Sequence, residues 1–94
     1  MPLTFEWDEK KARSNATKHG VRFDDASTVF ADSLSLTILD PTHSSHNEER
    51  FVTIGQSHRG KLLVVVHTDR GDNIRIISAR PASRRERRTY EKTR

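Results

Sequence analysis

Val64-Val-Val-His-Thr-Asp-Arg-Gly-Asp-Asn-Ile-Arg-Ile-Ile-Ser-Ala-Arg80 is the stretch that decides the fold. Its apolar runs predict two strands, 62–68 and 74–80, joined across the polar turn 69–73. A hairpin with Thr68 opposite Ile74 sets His67 opposite Arg75, Val65 opposite Ile77 and Leu63 opposite Ala79. Opposed residues share a sheet face. One face is then an apolar floor ending in a His67–Arg75 pair, and a slip of one residue sends Arg75 to the other side.

Working outward, the period changes along the chain. Phe5-Glu-Trp7 alternates, as an edge strand does. Asp8 is placed to cap a helix that Gly20 stops, with Ala12 and Ala16 on its packed face. Asp24 or Asp25 is placed to cap a shorter helix running through Ala26, Val29 and Phe30 to about Asp32. Leu34–Leu39 alternates and ends at Asp40-Pro41, a polar loop spans Thr42–Glu48, and Phe51–Gly55 is a strand. Ser83-Arg-Arg-Glu86 has the capping-box pattern that opens a last, basic helix. The expectation is an α+β fold: a small antiparallel sheet of about four main strands, two N-terminal helices and one C-terminal helix, with the helices packed on one side.

Ninety-four residues make one domain, 1–94. The absence of cysteine excludes disulfides and thiolate metal sites and fits a reducing cytosol. The start lacks a signal peptide's pattern and no apolar run reaches membrane length, so a cytoplasmic protein with no membrane partner is expected. Charge is lopsided. Residues 1–60 carry seven Lys/Arg against nine Asp/Glu, net −2, and residues 61–94 carry ten against four, net +6. That asymmetry points to a polyanionic partner, nucleic acid first.

Histidine beside arginine suits phosphodiester cleavage. An imidazole moves protons near pH 6.5. A guanidinium grips phosphate oxygens bidentately and stabilises charge in the transition state. RNA supplies its own nucleophile, the 2′-OH, so no metal or other cofactor is required. The blander readings are a core histidine and arginines that guard a sheet edge.

Phe5-Glu-Trp-Asp8, Lys18-His-Gly-Val21, Ala26-Ser-Thr-Val-Phe30, Glu49-Arg50, Leu62–Thr68, Ile74–Arg80 and Arg85-Glu-Arg-Arg-Thr-Tyr-Glu91 occur in this order. The series, covering residues 4–91, resembles the BrnT family of bacterial toxins. The resemblance implies a RelE-like fold and a ribonuclease that arrests translation. It also implies a BrnA-type antitoxin as partner, in a heterotetramer of two toxins and two antitoxins that meets operator DNA only through the antitoxin. Carried over motif by motif, it implies functional roles for His67, Arg75 and Arg80, then Glu49 and Arg50, then Lys18 and His19, with Tyr90 added.

Each candidate also has a plain structural role. Lys18 and His19 complement a helix dipole as well as they touch phosphate. Glu49 and Arg50, being adjacent, point to opposite faces of a strand, and either Glu49 or His67 can be argued as the base. His43 and His46 with Glu48 or Glu49 lack an ordered third ligand, so no metal site is expected. The run from Arg84 to Arg88 is either a solvated helix face or a runway for RNA. The competing function is a non-catalytic nucleic-acid-binding or protein-interaction module built on the basic C-terminal third.

Overall fold

The computed structural model describes residues 3–42 and 44–92. In chain order it has β1 (Thr4–Glu6), α1 (Glu9–His19), α2 (Phe23–Ser27) with a 3-10 turn (Thr28–Ala31), β2 (Leu36–Leu39), β3 (Arg50–Gln56), β4 (Leu62–Arg70), β5 (Asn73–Pro81) and α3 (Arg84–Lys92). The strands form one sheet in the order β1-β5-β4-β3-β2. The meander from β2 to β5 is antiparallel, as expected, while β1 adds a fifth strand parallel to β5. The sheet is therefore mixed.

Local chemistry explains the helix ends. Asp8 Oδ1 accepts from Lys10 N at 2.8 Å and Lys11 N at 3.3 Å, and Gly20 at φ 70° returns its N–H to Ala16 O. Ser83 and Glu86 complete their capping box, at 2.8 Å and 3.1 Å. The second helix differs from expectation. It begins at Phe23 behind Arg22, without a side-chain cap, and Asp24 and Asp25 lie in its first turn, where their charge favours the helix dipole.

The core lies on one face, where Val21, Phe23, Ala26 and Val29 meet Leu63, Val65, Ile76 and Ala79. Both α1 and α2 contact β5 on this covered face. Beyond Arg75, β5 has lost its β1 neighbour, and the buried Asn15 replaces it: its Nδ2 donates to Ala79 O at 2.8 Å and its Oδ1 accepts from Ala79 N at 3.0 Å. One amide thus satisfies a strand edge that would otherwise be buried unpaired. The helices do not all pack on one side. Val64 and Leu62 point to the other face and are buried there. Arg80, opposite Val64, reaches Glu86 of α3, so α3 returns over part of that face, in contact with β3.

The hairpin register corrects the sequence reading. Its turn is only Gly71-Asp72, with Gly71 at φ 58°, so Arg70 pairs with Asn73, Thr68 with Arg75 and His67 with Ile76. A glycine that accepts positive φ permits a two-residue loop, which moves the register by one residue from that of a five-residue turn. His67 and Arg75 therefore lie on opposite faces. Between His67 and Val66 the register shifts again: Ile76 faces His67, Ser78 faces Val66, and Ile77 is the extra residue of a bulge. Arg80 lies five positions after Arg75, an odd spacing that puts them on opposite faces of a regular strand. The bulge returns both to the face opposite the core.

Candidate functional site

His67 is a core residue. It is 5 % exposed, stands edge-on to Phe30 at 4.8 Å and stacks on Phe51 at 5.8 Å. Its Nε2 shares a 2.7 Å hydrogen bond with Thr53 Oγ1, which in turn meets Thr37 Oγ1 at 2.7 Å. Its Nδ1 is buried without a hydrogen-bond partner among the described residues. Burial pushes its pKa below the ordinary histidine value, with Asp69 pulling weakly the other way. This imidazole is held neutral beneath the helices, and the polar chain it joins runs towards β2 rather than towards the arginines.

The open face, opposite the core, carries the cations. Registered pairings across four strands place Glu6, Arg75, Thr68 and Arg50 in one row. Arg75 Nη1 donates to Glu6 Oε2 at 2.8 Å, and Asn73 Nδ2 donates to Glu6 Oε1 at 3.1 Å. Those two bonds hold the Glu6 carboxyl below the usual carboxylate range, Asn73 contributing most. At the other end of the row, Arg50 Nε donates to Glu48 Oε1 at 3.0 Å. The remaining donors of Arg50 and Arg75 make no hydrogen bond among the described residues, which leaves each guanidinium able to grip an oxyanion. Thr68 sits between them and donates to Glu49 O at 2.7 Å, tying the segment before β3 to β4.

Arg80 is on the same face but is otherwise engaged. Its Nη1 donates to Glu86 Oε1 and its Nη2 to Glu86 Oε2, each at 2.8 Å. That fork, with Ser83, lowers Glu86 to about 2, and Glu86 raises Arg80 in return. Such a bidentate pair, anchored in a capping box, clamps α3 to β5 and fills the donors a phosphate would use.

Next to the row, Glu48, Glu49, Phe51, Thr68, Asp69 and Arg70 line a cleft of about 320 Å³. Glu49 is exposed there, and its carboxylate has no ion pair among the described residues. Hollows of about 430 and 530 Å³ lie between α1 and α2 and beside the Ser57 turn; none of the three hollows is lined by Arg50, Arg75 or Arg80, and only the smallest shares a residue, Thr68, with the arginine row.

The other expected residues scatter. Lys18 and His19 end α1, which contacts β5 on the covered face. Arg84 and Arg88 are exposed on α3. Tyr90, expected to touch RNA, is 4 % exposed and donates to Asp32 Oδ2 at 2.6 Å. His43 lies outside the described residues, His46 is exposed, and no group of three metal-ligating side chains forms among the described residues. Sequence reading missed Thr68, Glu6 and Glu48. Thr68 could have been found from alternation, since a buried His67 requires its neighbour to face the other way.

A family model described as the ribonuclease toxin BrnT of type II toxin-antitoxin systems matches residues 7–86. Among solved structures, the Brucella abortus ribonuclease toxin BrnT is similar, with a TM-score of 0.63 and 24 % identity over 88 % of this chain and 100 % of that one. At that identity the likeness is one of fold. No curated protein matches the chain.

Proposed function

The chain belongs to the BrnT family of ribonuclease toxins of type II toxin-antitoxin systems, and from that premise we propose that it is a metal-independent endoribonuclease of RelE-like type whose working surface is the open sheet face. The observation that carries the reading is the row Arg75–Thr68–Arg50, two half-committed guanidinium groups flanking a buried threonine, with the exposed Glu49 in the neighbouring cleft. RNA lies across the row with a phosphate held by Arg50 and Arg75. The 2′-OH attacks the adjacent phosphorus while Glu49 accepts its proton. The bond from phosphorus to the 5′-oxygen breaks, leaving a 2′,3′-cyclic phosphate and a 5′-hydroxyl that takes its proton from water. The arginines stabilise the charge that builds on the phosphoryl oxygens, a contribution of about 10²–10³ in rate per donor.

In this reading His67 takes no part in the chemistry. It packs β4 against Phe30 and Phe51. Arg80 positions α3, and Arg84 and Arg88 draw RNA in by charge. Lys18 and His19 contact RNA only where a longer strand passes around the domain. The protein acts in the cytoplasm by cutting messages and arresting translation. A BrnA-type antitoxin restrains it in a complex of two toxins and two antitoxins, and operator DNA is reached through the antitoxin.

The test is cleavage of RNA by purified protein in EDTA, with the products analysed for cyclic phosphate ends. The expected result is cleavage that persists under chelation and is lost in Arg75→Ala and Arg50→Ala. Salt-sensitive binding with RNA intact at long times would instead leave a nucleic-acid-binding module, and loss of cleavage on chelation would remove the metal-free mechanism.

A further inference from the structure

The register row next to Arg75–Thr68–Arg50 on the open face is Ser78–Val66–Val52–Ile38. For a surface it is oddly apolar. Ile38 is 64 % exposed, and Val52 and Val66 are only half-buried. The row after it, Arg80–Val64–Ile54–Leu36, runs under cover at its centre, Val64 being 2 % exposed. A strip of branched aliphatic side chains is therefore left in solvent, with Arg50 and Arg75 along one side and Arg80 with Glu86 at the far corner. Exposed apolar strips of this kind mark contact surfaces.

We propose that this strip is a nucleobase platform, on which single-stranded RNA held by phosphate at Arg50 and Arg75 lays an adjacent base flat across Ile38, Val52 and Val66. The inference rests on the open face being the RNA-cleaving surface. Same-face rows lie about 6.4–6.8 Å apart along a strand, so a phosphate on one row puts its neighbouring nucleoside over the next. Donor complementarity selects the occupant: the spare N–H groups of Arg50 and Arg75, each bonded to a carboxylate through one nitrogen only, stand beside a flat apolar floor and match a chain of phosphates that carries planar rings. Aliphatic side chains offer no hydrogen bonds, and Ser78 alone in the row has a hydroxyl. Purines and pyrimidines are thus accepted alike, with discrimination confined to the base edge that reaches Ser78.

Binding of 2′-O-methyl RNA oligomers, which lack the nucleophile and stay intact, tests this against oligomers of the same length with abasic positions. Removing the bases should weaken binding to the wild-type protein by about tenfold, the scale on which small apolar contacts discriminate. Ile38→Ala should lose a similar factor with the base-bearing oligomer and nothing with the abasic one. Its salt dependence should be unchanged, because no phosphate contact is removed. Ile38 is exposed, so folding is not at stake, and Ile38→Thr, which keeps the branch, should fall between. Equal binding of both oligomers, or indifference to Ile38, overturns the platform. So does an Ile38→Ala protein that binds RNA normally but escapes its co-expressed antitoxin, which would make the strip a protein interface. Cleavage of unmodified RNA by the wild type is scored separately: base-dependent binding without cleavage removes the nuclease reading and leaves the platform standing.

Discussion

His67 and Thr68 are consecutive in β4 and both are buried, but they point to opposite faces of the sheet and meet different neighbours. The imidazole enters a layer of Phe30, Phe51 and Thr53 beneath the helices, whereas Thr68 is a buried spacer bonded to Glu49 O between Arg75 and Arg50, whose guanidinium groups are partly exposed on the open face. The covered face holds a titratable group neutral and nearly unhydrated. The open face holds guanidinium groups paired with carboxylates that are themselves partly exposed. Residue type alone would make the histidine the chemist of this domain. Solvent access reverses that, because proton transfer to a substrate requires reach before it requires a suitable pKa.

The contrast makes unequal predictions for the two faces. The largest effect belongs to the open one: Arg75→Ala should lower cleavage by about 10²–10³-fold and the slope of log affinity against log salt by about one. Thermal melting should barely move. His67→Ala should do the reverse, costing about 2–4 kcal/mol in denaturant titration through the cavity beside Phe30 and Phe51, with the folded fraction still cleaving. A stable His67→Ala protein without activity would break the comparison. Gly55→Ala sharpens it from the same side, since a Cβ there meets Val29 Cβ, Val29 O and Ser35 Cβ at 3.1 Å. Overpacking of that kind costs about 1–3 kcal/mol and should leave RNA affinity unchanged.

Effects of pH are smaller and separate the faces again. The folded-state pKa of His67 lies below the ordinary 6.5. Its contribution to stability is therefore complete above pH 6.5 and is lost as pH falls through the lower folded value, a step that His67→Phe should remove. Glu86, lowered from 4.5 to about 2, stabilises fully above pH 4.5 and loses that contribution as pH falls towards 2. Glu86→Gln should flatten this acid limb of the melting curve and leave the neutral limb alone.

Much of the fold was legible in the chain because its signals are local. Asp8, Gly20 and the Ser83–Glu86 box act within one helical turn, and all three ends stand where sequence puts them. The second helix start was misjudged because Asp24 and Asp25 are as favourable inside a first turn as before it. Phe5–Trp7 reads as an edge strand and the strand forms one residue earlier, at Thr4–Glu6, yet its parallel partner lies near the other end of the chain, about which alternation says nothing.

The candidate site was legible in kind and not in place. Composition and charge point to phosphate-handling arginines, and Arg75, Arg80 and Arg50 do share a face. Which face, and with which neighbours, depends on one glycine and one extra residue. A side chain's direction alternates with period two, so a shift of one position inverts every assignment beyond it. Gly71 shortens the turn and separates His67 from Arg75. The bulge at Ile77 then reunites Arg75 with Arg80.

By itself the sequence determined both ends of α1 and the start of α3, the apolar strands, the cationic C-terminal third and the absence of thiol chemistry, because these depend on residue type and near-neighbour spacing. Only the tertiary structure decided that the histidine is core, that Arg80 is spent on Glu86 and that Thr68 centres the arginine row. Register and bulge are set by how strands pack against α1 and α2 and by which φ a turn can hold, and that long-range competition leaves no mark on any single stretch of residues.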